Sequence, residues 1–260
     1  MSDTAKHKRT GKGWALRLLF LLCLLVFLGS VGKVLQVRLR GARAQAQIDQ
    51  LVPIGARDGQ SAPSDGETVL PRFAALLEQN SDLRGWLTIP DTDISYPIMF
   101  AEEDGEYYLH RAFDKTDTFS GTPFLDQNCG PDSDCVIIYA HNMKNGTMFG
   151  TLDRYLRFEY FHEHPTVWFD SLYEEREYEV FAAVQTRVYG TGAPGFHYYE
   201  SAGALTDTEF ALLVDWLQTK SVWDSGIVPV PGDQILILST CSYHTDDGRF
   251  LIAARRSAER

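Results

Sequence analysis

QILILSTC, residues Gln234–Cys241, is an apolar run that ends on a cysteine. After the loop SYHTDDG the chain returns as RFLIAARR, residues Arg249–Arg256. Two such runs joined by seven residues most simply pair as an antiparallel ladder. That pairing sets Cys241 at the end of one strand and Arg249 at the start of the next, so both side chains reach one rim. Side chains alternate between faces, which groups Cys241 with Ser239 and Ile237, and Arg249 with Leu251 and Ala253.

The β pattern recurs toward the N-terminus at Gly85–Ile89, Ile94–Met99, Thr122–Asp126, Val136–Ala140, Thr166–Asp170 and Tyr178–Thr186. About eight short strands separated by turn residues predict a mainly β fold, an eight-stranded barrel closed or nearly so. Helical spacing predicts two helices beside it. One is Pro71–Gln79, with Phe73, Leu76 and Leu77 on one side. The other, Thr206–Lys220, precedes the cysteine strand, with Thr206 or Asp207 as N-cap and Phe210, Leu213, Val214 and Leu217 facing the core. A shorter helix is expected around Met148–Leu156.

Trp14–Leu35 reads WALRLLFLLCLLVFLGSVGKVL. Its charge-free centre, Leu18–Gly32, lengthens toward a bilayer crossing when Arg17 and Lys33 snorkel from either end. A cleaved signal peptide shares the basic start and apolar stretch, but no A-x-A-like site follows directly, which favours an anchor. The expected organisation is a short cytoplasmic tail (1–13), a transmembrane helix (14–35), a stalk and flexible linker (36–70) and an extracytoplasmic domain (71–260). Basic residues flank both ends of the segment, so the inside-positive signal is weak, and a short tail remaining inside is the preferred orientation.

Residues 1–43 carry nine Lys/Arg and one acidic residue, while the 260-residue chain has net charge −11, leaving −19 on residues 44–260. An acidic body of this kind argues against nucleic-acid binding. Four cysteines are too few for a disulfide scaffold. Cys23 falls in the apolar segment, and Cys129 with Cys135 could be a loop-closing disulfide or two free thiols. Cys241 stands alone.

A thiol becomes a nucleophile at neutral pH only with a base or cation beside it. His141 follows the run VIIYA and so also stands at a strand end, whereas His244 is nearer in sequence, as C-x-x-H. A thiolate, an imidazole and a guanidinium together suffice for acyl transfer, the last stabilising the oxyanion. A buried cysteine, a capping histidine and a surface arginine would be the inert alternative. Cys129, Cys135, His162 and His164 could be imagined as a zinc site, but their spacings match no recognised pattern.

YAHNMKNGTMFGTLDRY (Tyr139–Tyr155), LSTCSYHTDDGRF (Leu238–Phe250) and NSDLRGWLTIPDTDISYPI (Asn80–Ile98) resemble segments of the sortase family, with FLD at Phe124–Asp126 and FHEHP at Phe161–Pro165 in support. The resemblance runs from about Asn80 to the C-terminus. The helix before the cysteine strand and the preceding N-terminal helix look most like class B. Carried over by motif, the family's catalytic residues fall on Cys241 as nucleophile, His141 as general acid/base and Arg249 as oxyanion stabiliser. Asn142, Ser239, Thr240 and Tyr243, beside them, are candidates for contacting substrate. Ala140, where glycine is common, and Ser239 depart slightly from the pattern, and the Cys129/Cys135 pair is not a family feature.

The resemblance implies a cysteine transpeptidase that needs no cofactor or metal. Such an enzyme cuts a C-terminal sorting signal after Thr, holds the acyl fragment as a thioester, and passes it to an amine of a peptidoglycan precursor or a pilin. A thiol peptidase transferring to water and a non-catalytic peptide-binding domain are the rival expectations.

Overall fold

The computed structural model describes residues 10–57, 66–190 and 192–257. Residues 1–9 of the tail expected over 1–13, and the linker positions 58–65, lie outside them. Eight strands close a barrel in the order β1-β2-β3-β4-β7-β8-β6-β5. They are β1 Leu83–Thr88, β2 Ser95–Met99, β3 Phe124–Leu125, β4 Cys135–Tyr139, β5 Thr166–Ser171, β6 Glu177–Arg187, β7 Ile235–Cys241 and β8 Gly248–Arg256. Most neighbours are antiparallel, but β2 with β3 and β4 with β7 run parallel. Each strand expected from the sequence is present.

The apolar character of QILILSTC has a direct cause: β7 is buried on both faces. Leu236 and Leu238 point into the barrel with Val136, Ile138, Phe250 and Ile252. Ile235 and Ile237 point outward beneath the helix α4, Asp207–Lys220, beside Leu251, Ala253, Phe210, Leu213 and Leu217. A strand covered on both sides has no reason to alternate apolar with polar. Thr206 caps α4: its hydroxyl accepts from Glu209 N while the Glu209 carboxylate accepts from the Thr206 backbone.

α1 is a single helix from Thr10 to Gly55. It contains one stretch that by length and composition can cross a membrane, with mean hydropathy 2.5 and none of that stretch buried. Its further part packs Ala44, Ile48 and Leu51 onto the domain. The helix therefore runs past Pro53 into the region read as linker, because the i, i+4, i+7 spacing of those three apolar residues gives it a surface to bury. α2, Pro71–Gln79, covers the neighbouring part of the barrel through Phe73 and Leu76. Arg57 and Arg72, on either side of the undescribed positions, both bond the buried Asp170 of β5, Arg57 Nε at 3.0 Å and Arg72 Nη2 at 2.9 Å.

The short helix expected at Met148–Leu156 forms later and in two pieces. Residues Leu152–Leu156 form a 3₁₀ turn, and α3 spans Phe158–Glu163. Met148 has φ of 55°, incompatible with a right-handed helix, so the helical turn begins only beyond it.

Candidate active site

The β7–β8 ladder pairs Cys241 with Arg249, and the residues behind them, Ile237, Leu251 and Ala253, lie on the α4 side of the sheet. On the other side of β7, parallel β4 ends with Tyr139 opposite Ser239. The lacing continues past the last paired residues. Ala140 N donates to Ser239 O at 3.2 Å, Thr240 Oγ1 donates to Ala140 O at 2.8 Å, and Asn142 Nδ2 donates to Cys241 O at 2.9 Å. These bonds bring His141 alongside Cys241 across adjoining strand ends.

Cys241, His141 and Arg249 line one groove of about 520 Å³, with Leu109, Phe124, Tyr139, Tyr198 and Val188 as walls. Cys241 is exposed and carries a free thiol. The Arg249 guanidinium is anchored through Nη1, which donates to Gly248 O at 3.0 Å and more distantly to Asp247 O at 3.4 Å. These are backbone carbonyls; no carboxylate of the Asp246–Asp247 pair holds it. A guanidinium fixed on one side still presents several parallel donors to a developing oxyanion.

His141 is held by a region the sequence does not flag. Its Nε2 lies 3.0 Å from the carbonyl oxygen of Leu109, in the connection between β2 and β3. A carbonyl only accepts, so Nε2 carries the hydrogen and Nδ1 is left to exchange a proton. Phe119 lies nearly parallel to the imidazole at a centroid distance of 6.0 Å, and His110 stacks at 5.5 Å. Burial holds the His141 pKa below its ordinary value of 6.5; the His110 charge pushes the same way, and the Leu109 carbonyl opposes both. A less basic imidazole forms an imidazolium that gives up its proton more readily.

Gly121 makes this arrangement possible. Its φ is 61°, and a Cβ there would lie 2.4 Å from the Leu109 carbonyl oxygen. Only glycine lets the connection fold back this closely behind the oxygen that holds His141.

The flanking candidates divide. Ser239 and Thr240 line the groove but are almost fully buried, and their hydroxyls are engaged, Ser239 with Tyr198 at 2.8 Å and Thr240 with Ala140 O. Asn142 spends its amide on the Cys241 carbonyl. Tyr243 is 74% exposed in the β7–β8 loop and is not part of the groove lining. His244 is likewise exposed, its Nδ1 2.7 Å from Ser242 Oγ.

Cys129 and Cys135 are buried free thiols rather than a disulfide. Burial raises both, Cys129 to about 11. His162 packs edge-on against Phe158, and His164 Nδ1 lies 3.1 Å from Pro90 O. Among the described residues no group of three or more His, Cys, Asp or Glu is placed to hold a metal.

Comparison with known proteins gives the same reading of the fold. The Sortase domain family matches residues 87–257. Sortase B of Listeria monocytogenes is 33% identical over 241 residues, covering 91% of this chain and 94% of that protein. The crystal structure of sortase B from Bacillus anthracis in complex with AAEK1 superposes with a TM-score of 0.71 at 29% identity, covering 86% of this chain and all of that one. A sortase B crystallised with triglycine gives a TM-score of 0.64 at 25% identity, over 73% and 87% of the two chains. A closed mixed barrel with Cys241 at the end of β7, Arg249 opposite it on β8 and His141 just past the end of β4 has a clear family context: the chain belongs to the sortase family and is most like class B.

Proposed function

We propose that this chain is a membrane-anchored cysteine transpeptidase, with the N-terminus cytoplasmic and the barrel extracytoplasmic. It cleaves the C-terminal sorting signal of an exported protein after a Thr and transfers the protein to an amine of a peptidoglycan precursor or a pilin. The single observation that carries this reading is the groove lined together by Cys241, His141 and Arg249. The triglycine bound by a related sortase B is in keeping with an amine acceptor.

In the proposed sequence the Cys241 thiolate attacks the scissile carbonyl carbon, and the carbonyl electron pair moves onto oxygen. Arg249 stabilises that oxyanion. As the intermediate collapses, the C–N bond breaks and the His141 imidazolium protonates the leaving amine, giving a thioester on Cys241. An incoming amine then loses a proton to His141 and attacks the thioester, and the thiolate departs. The side-chain bonds of Ser239, Thr240 and Asn142 suit positioning of the strand ends.

The test is a sorting-signal peptide library assayed with and without an amine donor. Cys241→Ala should abolish cleavage; retained cleavage would remove the thiol from the mechanism. With the native chain, an added amine should appear covalently in the product. Release of free acid alone, at a rate indifferent to the amine, would make the chain a hydrolase.

A further inference from the structure

A second cleft, about 860 Å³ and larger than the catalytic groove, opens between α1 and the connection from β2 to β3. Four cations line it, Arg40, Arg43, Arg111 and Lys115, against two carboxylates, Asp114 and Asp117. On the domain side the charges are answered. Arg111 pairs with Asp117, Lys115 Nζ lies 2.8 Å from Asp82, and Asp114 accepts from Thr116 N and Oγ1. On the helix side Arg40 and Arg43 are exposed and have no carboxylate partner among the described residues. The unanswered positive charge therefore sits on the helix that carries the apolar stretch.

Its height along that helix is informative. At about 1.5 Å per residue, Arg40 lies roughly 8 Å and Arg43 roughly 12 Å beyond Leu35. The polar layer adds roughly 5–8 Å to each side of a hydrocarbon core about 30 Å thick. Arg40 then falls at the level of lipid phosphates, with Arg43 just above. The remainder of the body, at −19 over residues 44–260, would be repelled by an anionic surface. A cationic cleft at this height is where the domain can approach one.

We propose that this cleft seats the phosphate of an anionic phospholipid headgroup, with Arg40 and Arg43 as its principal ligands. The inference rests on the proposed membrane anchor. The wall opposite α1 includes Tyr107 and Arg111, while Leu109 between them bonds the active-site His141. A seated headgroup thus steadies the connection that positions the imidazole.

The test uses the full chain in phosphatidylcholine nanodiscs with increasing phosphatidylglycerol, following amide exchange over residues 107–117. Exchange should slow as phosphatidylglycerol rises. Arg40→Gln with Arg43→Gln should raise the midpoint of that titration roughly thirtyfold, with β7 amides unchanged as the folding control. Equal exchange in both lipids, or an unshifted midpoint in the double variant, overturns the seat. Millimolar inorganic phosphate giving the same protection in pure phosphatidylcholine overturns the lipid assignment in favour of free phosphate. If the chain fails to co-elute with the discs, the anchor and the seat fall together; co-elution without lipid dependence removes the seat alone.

Discussion

Cys241 and Arg249 stand on strands buried on both faces, whereas His141 stands just past the end of β4 and is steadied by another segment. On the first side, ladder bonds and the α4-facing cluster of Ile237, Leu251 and Ala253 fix the positions of Cys241 and Arg249. On the second, one carbonyl of the β2–β3 connection, one exposed phenylalanine and a second histidine hold the imidazole. A strand pair positions its groups through many cooperative bonds. A connection does so through few, and each of those is individually vulnerable.

Changes on the two sides should therefore fail differently. Arg249→Lys keeps the charge but loses the paired donors, and should lower kcat/KM for peptide cleavage by roughly 10²–10³-fold with folding intact. Near-native kinetics would remove Arg249 from the oxyanion role. Gly121→Ala, remote in sequence from the chemistry, should displace the Leu109 carbonyl and cost roughly 10–100-fold in kcat. If that variant is fully active with an unshifted His141 imidazole resonance, the connection is not what positions the base. Thr240→Val leaves the Ala140 carbonyl without its hydroxyl donor and should cost about 1–3 kcal/mol in denaturant unfolding. An unchanged midpoint would show the lacing between β4 and β7 to be dispensable.

The smallest effect concerns charge. His110→Gln removes a neighbour that disfavours the imidazolium, so the His141 pKa should move upward toward its ordinary value. Ring-proton NMR in a Cys241→Ala background measures this without the coupled thiol. An unchanged or lowered pKa would exclude His110 as a contributor. The sign for stability follows from the same shift. Between the depressed folded value and 6.5 the unfolded chain binds more protons, so the His141 contribution is whole above 6.5 and is lost as pH falls toward the folded value.

The same contrast governs what the sequence reveals. All eight strands are legible because each is a short apolar or alternating run bounded by turns, and α4 because Thr206 and Glu209 mark its start. Cys241 opposite Arg249 follows from strand, loop and strand alone. His141 over His244 depends on motif resemblance, because the deciding contact is the Leu109 carbonyl, and backbone oxygens have no sequence signature. Gly121 could have been suspected only as one glycine among twenty-one. The helix through Pro53 escaped because that proline and the neighbouring glycines read as a break, while the surface against which its last turns pack comes from α2 and β2, later in the chain.

With the proposed anchoring, the unbroken course of α1 from Thr10 to Gly55 makes it a shaft as well as a tether. On a straight α-helix, one inserted residue raises what lies beyond it by only about 1.5 Å but turns it by about 100°. The compass bearing of the groove is thus far more sensitive to the residue count between Gly32 and Ala44 than its altitude is. An insertion of seven residues, nearly two whole turns, would lift the barrel by about 10 Å while leaving it facing almost the same way.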